Sequence, residues 1–240
     1  MTFKVGKNSI KIFTDGANLD SISKLASDPS IDGITTNPTL MRASGVTNYM
    51  TFSKAAVKAS LGKSLSLEVF SDEHEEMINQ ARILSKLSSN VYVKVPITNS
   101  LGTSSIEVIK QLTKEKINLN ITAILTRKQI DNCLESLSIY SKAYISIFAG
   151  RIADTGRDPV EYVNYALNKF RDHKDVEILW ASTREVYNIY QAADCGCNII
   201  TVTPEILKKI KLKDYDLDKL SLETVQMFKR DSELAKYQIK

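Results

Sequence analysis

A lysine stands in the middle of an apolar run, Val91-Tyr92-Val93-Lys94-Val95-Pro96. β-branched and aromatic residues in such a run read as a buried strand. Lysine is rarely buried unless something holds it there. Desolvation disfavours the ammonium form, and a neutral amine is a nucleophile that attacks a carbonyl and forms a Schiff base. Two plainer readings stay open on this segment alone. Lys94 either snorkels to solvent from a strand end or is half of an ion pair.

Other apolar runs carry polar groups on one parity. In Leu65-Ser66-Leu67-Glu68-Val69 the aliphatics face one way and Ser66 and Glu68 the other. Asn120 and Thr122 share a face in Leu119-Asn120-Ile121-Thr122-Ala123, as do Ser146 and Phe148 in Ile145-Ser146-Ile147-Phe148. Asp15 shares its parity with Phe13 and Ala17, and Asn37 with Thr35. Alternation along a strand sends these groups to one side of a sheet. Burying Asp15, Asn37, Glu68, Lys94, Asn120, Thr122 and Ser146 together costs free energy unless they bond to one another. The set reads either as a satisfied polar network or as an active site with an amine and two carboxylates.

The elements that must position them alternate along the chain. Strands are predicted over Lys11–Ala17, Asp32–Asn37, Leu65–Phe70, Val91–Ile97, Ile117–Leu125, Tyr144–Arg151, Val176–Ser182 and Asn198–Thr203. Segments between them have helical spacing, as in Met77, Ile78, Ala81, Leu84 and Leu87, or Ile130, Cys133, Leu134 and Leu137. Asp158-Pro159 reads as an N-cap followed by Pro at the first helical position. Eight strand–helix units predict an α/β fold, a (β/α)8 TIM barrel. The alternative is an open doubly wound sheet, whose dinucleotide-binding form lacks its Gly-x-Gly-x-x-Gly here.

In a barrel, outward side chains meet helices, so the polar set points inward near the C-terminal ends of the strands, where this architecture places its chemistry. Arg151 and Arg184 sit just beyond the sixth and seventh strands. Each is a surface ion-pair partner or half of a phosphate site, since guanidinium forms bidentate bonds to phosphate. No linker divides the chain. The barrel is assigned to residues 1–213 and a helical tail to 214–240. Leu220, Leu222, Val225, Phe228 and Leu234 could form an apolar stripe covering this barrel or a neighbouring subunit.

The 240 residues carry a net charge of +4 with Lys and Arg dispersed, and no basic block with interleaved aromatics supports nucleic-acid binding. No apolar stretch suits a membrane span, and Met1–Lys7 lacks the apolar core of a signal peptide. Cys133, Cys195 and Cys197 make no disulfide framework and fit a reducing compartment such as the cytoplasm. Cys195-Gly196-Cys197 reads as ordinary thiols more readily than as a metal site. His74 opens a polar helix and His173 lies in a charged loop, both expected in solvent. A histidine metal site or Ser-His triad is therefore disfavoured, and acid–base work falls to carboxylates, lysine or water.

The chain resembles the transaldolases. The resemblance rests on Thr14-Asp15-Gly16-Ala17-Asn18, Thr35-Thr36-Asn37-Pro38-Thr39-Leu40, Leu67-Glu68-Val69, Val93-Lys94-Val95-Pro96, Asn118-Leu119-Asn120-Ile121-Thr122-Ala123, Ser146-Ile147-Phe148-Ala149-Gly150-Arg151-Ile152 and Ala181-Ser182-Thr183-Arg184, in family order across most of the barrel. It implies a class I aldolase-type enzyme that acts on sugar phosphates without metal or organic cofactor, in the non-oxidative pentose phosphate pathway. By resemblance Lys94 is the Schiff-base lysine and Asp15 the acid–base at the donor's C4 hydroxyl. Glu68 and Thr122 hold a catalytic water. Asn37, Asn120 and Ser146 contact the dihydroxyacetone portion, and Arg151, Ser182 and Arg184 the phosphate. The related fructose-6-phosphate aldolases, which release free dihydroxyacetone, typically have glutamine at Glu68 and tyrosine at Phe148, so both positions here resemble transaldolase. Family members are dimers or larger rings, which implies a homo-oligomer.

Overall fold

The computed structural model describes residues 3–5, 8–138 and 141–239. The leader reading of Met1–Lys7 thus falls largely outside the described residues, as do the side chains of 3–5 and 8. The strands are β1 (Phe3–Val5), β2 (Asn8–Asp15), β3 (Gly33–Thr35), β4 (Ser64–Glu68), β5 (Val91–Pro96), β6 (Leu119–Ile124), β7 (Ala143–Ile147), β8 (Val176–Trp180) and β9 (Ile199–Val202). The helices are α1 (Leu19–Ala26), α2 (Pro38–Ala43), α3 (Tyr49–Ala59), α4 (His74–Ser85), α5 (Ile106–Lys114), α6 (Arg127–Ser136), α7 (Ala149–Ala153), α8 (Val160–Lys169), α9 (Tyr187–Asp194), α10 (Pro204–Lys209) and α11 (Leu217–Leu234).

Strands β2 to β9 pair in sequence order, all parallel, and β2 closes on β9 through Lys11↔Ile199 to Thr14↔Val202. That closing ladder makes an eight-stranded barrel and excludes the open sheet. All eight predicted strands form, with shifted ends. Unpredicted β1 adds an antiparallel partner to β2. The strand predicted over Tyr144–Arg151 stops at Ile147, because Phe148 turns out of the extended region (φ −79°, ψ 62°) and α7 begins. The strand predicted to Asn37 stops at Thr35, and Asn37 instead caps α2.

Two apolar layers hold the barrel. Outward residues such as Leu65, Leu67, Val93, Val95, Ile145 and Ile147 are buried beneath the helices. That layer is fed by amphipathic segments such as Met77, Ala81 and Leu84 of α4. Inside, Phe13, Tyr144, Leu179, Ala181 and Ile199 pack with Tyr92 and Phe148. Tyr92 and Tyr144 stack at 4.0 Å, and Phe13 meets Tyr144 edge-on at 5.5 Å. Gly33 leaves room for the Phe13 ring: a Cβ on it would sit 2.6 Å from Phe13 Cζ and force the ring to shift.

Several local expectations change in detail. Asp158 Oδ1 accepts from Val160 N at 2.9 Å, but α8 begins at Val160 with Pro159 in the cap position, one residue later than expected. His74 opens α4 as expected, but both histidines are half-buried, not solvated. His173 packs edge-on to Phe170 at 5.4 Å. Cys133 and Cys197 are buried and Cys195 half-buried. The Cys197 thiol contacts the carbonyls of Ile178 and Ile199, and burial pushes it well above the usual thiol range. Among the described residues no helix is long and apolar enough to cross a membrane.

Candidate active site

The strands of the barrel deliver their polar parity to one cavity of about 430 Å³. All eleven residues singled out in the sequence line it: Asp15, Asn37, Glu68, Lys94, Asn120, Thr122, Ser146, Phe148, Arg151, Ser182 and Arg184. Seven of the polar set were expected from six strands. The structure supplies six of them from five strands, because Asn37 lies past the end of β3. Its Oδ1 caps α2 by accepting from Leu40 N at 2.9 Å, and Pro38 holds the first helical position.

Lys94 is 7% exposed. Its ammonium lies 2.9 Å from Glu68 Oε2 and donates to the carbonyl of Thr36 at 2.7 Å. The register explains the pair, since Glu68 on β4 is directly opposite Lys94 on β5. These contacts use two of the three donors that an ammonium has. Across the strands, Asn120 is opposite Lys94. Asn120 donates to Ser66 Oγ at 2.9 Å, and Ser146 donates to Asn120 Oδ1 at 2.6 Å. That fixes both ends of the amide and leaves the Ser146 oxygen as an acceptor.

Asp15 is half-buried at the end of β2, and Oδ1 accepts from Thr35 Oγ1 at 3.1 Å. Desolvation pushes its pKa up; the Lys94 charge and the Thr35 bond pull the other way, and the Glu68 charge adds to the rise. The Thr122 hydroxyl is buried with no protein partner. A register shift between Ile121 and Ile124 of β6 sets Thr122 and Ala123 against the single residue Ser146 on β7. Ala123 takes φ 60° in that bulge. Bulges re-aim side chains beside active sites.

The rim carries the two arginines. Arg184 pairs with Asp154 through Nη2 while lining the cavity, and the Arg151 guanidinium lies 5.9 Å from the Phe148 ring centre. Ser182, at φ 63°, leads into Arg184. The arrangement offers one amine–carboxylate pair, one separate carboxylate, amide and hydroxyl groups between them, and cations at the mouth. It suits covalent capture of a carbonyl compound whose far end is anionic.

The sequence matches the family model described as Transaldolase/Fructose-6-phosphate aldolase over residues 12–239. A "Probable transaldolase" of Nitrosopumilus maritimus (strain SCM1) is 33% identical over 217 residues, 89% of this chain and 92% of that protein. The chain belongs to the transaldolase/fructose-6-phosphate aldolase family. A "Probable transaldolase" of Clostridium botulinum (strain Loch Maree / Type A3) is 30% identical over 227 residues, 94% and 98% of the two chains. The solved structure described as "Native KDPGal structure" shares the barrel fold, with a TM-score of 0.52 at 14% identity over 84% of this chain and 85% of that one.

Four residues at or beside this cavity carry no mark in the sequence. Thr201 on β9 meets Thr35 on β3 inside the barrel, over the intervening β2. Thr203 and Leu179 also line the cavity. Tyr49 on α3 donates to the Glu68 carbonyl at 2.9 Å, anchoring the end of β4. The inward parity of β9 could have exposed Thr201. No spacing rule would have brought Tyr49 to Glu68.

Proposed function

We propose that this chain is a transaldolase that carries a dihydroxyacetone unit from a ketose phosphate to an aldose phosphate on Lys94. The donors are fructose 6-phosphate or sedoheptulose 7-phosphate, and the acceptors erythrose 4-phosphate or glyceraldehyde 3-phosphate, as in the non-oxidative pentose phosphate pathway. The observation that carries this reading is the buried Lys94–Glu68 contact of 2.9 Å in a cavity that also holds Asp15.

Moving one proton from Lys94 to Glu68 makes an amine and a carboxylic acid. The amine attacks the ketone carbon, and Glu68, working through a water held with Thr122, protonates the departing hydroxyl as the imine forms. Asp15 takes the C4 hydroxyl proton. The C3–C4 bond breaks, its electron pair moves into the enamine, and the aldose phosphate leaves. An acceptor aldehyde then meets the enamine carbon, Asp15 returns its proton to the new hydroxyl, and water releases the product from Lys94. Asn37, Asn120 and Ser146 hold the hydroxyls of the transferred unit, Phe148 walls it, and Arg151, Ser182 and Arg184 hold the phosphate. A cytoplasmic setting fits the three free thiols. The exposed apolar residues of α11 support a homo-oligomer.

Borohydride reduction with fructose 6-phosphate tests the covalent step. Mass spectrometry is expected to find the reduced three-carbon adduct on Lys94, and its absence there would overturn the mechanism. Glu68 and Phe148 favour transfer over simple release. Free dihydroxyacetone accumulating without an acceptor would turn the assignment to the aldolase branch of the family.

A further inference from the structure

We propose that Thr201 is a positioning residue that acts on Asp15 through Thr35. The inference rests on the Schiff-base reading above. Thr35 and Thr201 are both buried, at 3% and 5% exposure, and their hydroxyl oxygens lie 2.5 Å apart over the intervening β2. Thr35 has one hydroxyl proton, and it is directed to Asp15 Oδ1. With Asp15 ionised, Thr201 is therefore the donor in the 2.5 Å contact, since a hydroxyl has one proton to give and two lone pairs. Thr201 itself is held from behind, where its carbonyl accepts from Thr183 Oγ1 at 2.7 Å. The chain Thr183, Thr201, Thr35, Asp15 thus runs from the turn after β8, through β9 and β3, to the end of β2.

This chain has a direction, and the direction matters for the base. Filling the lone pair of Thr35 commits its proton to Asp15 Oδ1 and polarises that bond, because hydrogen bonds in series strengthen one another at low dielectric. Oδ1 is thereby occupied as an acceptor. Oδ2 remains as the oxygen that takes the C4 hydroxyl proton: one substrate O–H bond breaks and one carboxyl O–H bond forms. The same bonds favour the ionised carboxylate that burial disfavours. The other charges facing this carboxylate are Lys94 on β5 and Glu68 on β4, with Arg151 and Arg184 at the cavity rim. Glu205 and Lys208 of α10 line the crevice on its far side. None of these charges is altered by changing Thr201.

The test is the pH dependence of kcat/KM for transfer from fructose 6-phosphate to an aldose phosphate, in wild type and in Thr201→Val, Thr201→Ala and Thr201→Ser. The acid limb is expected to move up by roughly half a pH unit in the Val and Ala variants, as the Asp15 bond loses its support. Ser, which keeps the hydroxyl, is expected to restore the limb. Ala covers the case in which the Val variant does not fold. Borohydride trapping on Lys94 is expected in every folded variant, since imine formation does not use Asp15. An unmoved limb in both Val and Ala, or a displaced limb in Ser, overturns the role of Thr201. A wild type that forms no adduct on Lys94 overturns the Schiff-base reading itself, and this inference with it.

Discussion

Asp15 is pulled in two directions. Burial favours its acid form, while Lys94 and the Thr35 hydroxyl favour the carboxylate. Burial is the larger influence, so the folded pKa lies above the ordinary carboxylate value. A group whose folded pKa is raised contributes stability that is present below its unfolded pKa and lost as pH rises through the folded one. At neutral pH the native carboxylate is therefore held at a cost that a neutral amide avoids. Asp15→Asn keeps the shape and an oxygen for Thr35 to donate to. It is expected to lower turnover by about 10²–10⁴, the range for a lost general base, while raising Tm at pH 7 by roughly 2–4 °C. At a pH below the unfolded carboxylate range the Tm advantage is expected to vanish. Thermal melts at the two pH values, set beside the transfer assay, check both halves. An Asn variant less stable than wild type at pH 7 would show that the carboxylate is a structural anchor instead.

The elements that bear these residues differ in how openly the sequence announces them. Alternation in β4 to β7 placed Glu68, Lys94, Asn120 and Ser146 on one side of the sheet, because period-two patterning follows directly from strand geometry. The order of eight strand–helix units carried the barrel. The strand ends did not show. Asn37 and Phe148 both extend an apolar alternation in sequence, yet each begins a short helix, α2 or α7, at the mouth. The bulge in β6 was also silent, since its left-handed residue is Ala123 and not a glycine. A pairing such as Tyr49 with Glu68 depends on how α3 lies against β4, which no local pattern encodes. Gly150 is a case where the element explains the residue. It sits in the first turn of α7, where a Cβ would lie 1.7 Å from the backbone oxygen of Ser182. Backbone cannot yield as a side-chain tip does, so Gly150→Ala must push α7 away from the turn after β8. Overpacking of this kind costs about 1–3 kcal/mol. Because Arg151 rides on α7 and Arg184 follows Ser182, the separation of the two arginines changes as well. The expected result is a lower Tm together with a KM for fructose 6-phosphate raised several-fold more than kcat falls. A KM that stays at the wild-type value would detach these arginines from the phosphate.

At the scale of the whole molecule, α11 stands apart from the barrel. Its 18 residues are capped by Asp216 Oδ1, which accepts from Lys219 N at 2.8 Å, and none is buried. Leu217, Leu220, Thr224, Met227 and Phe228 follow at i, i+3, i+7, i+10 and i+11, the spacing of one helical face. Leu222 and Val225, read in the sequence as part of the stripe, fall off it. Met227 and Phe228 are 40% and 62% exposed, and Leu217 is 77% exposed. Helices gain most of their stability from packing such a face, and monomers seldom leave one open. A helix apolar on one side, with Leu217, Met227 and Phe228 of that side exposed, is expected to be completed by a second copy. The chain is accordingly expected to sediment as a multiple of 26.9 kDa at micromolar concentration. Met227→Glu combined with Phe228→Glu places two like charges in that face. The pair is expected to weaken association by tenfold or more, since an unpaired charge brought into an apolar contact costs upward of about 1.4 kcal/mol. The cavity lining contains no residue of α11, so the dissociated variant is expected to keep the Lys94 adduct under borohydride. Sedimentation velocity reads the first expectation and mass spectrometry the second. A wild-type chain that runs as one copy would leave α11 without a partner and end the argument for assembly, and a monomer that loses the adduct would mean that the site is finished only by its neighbour.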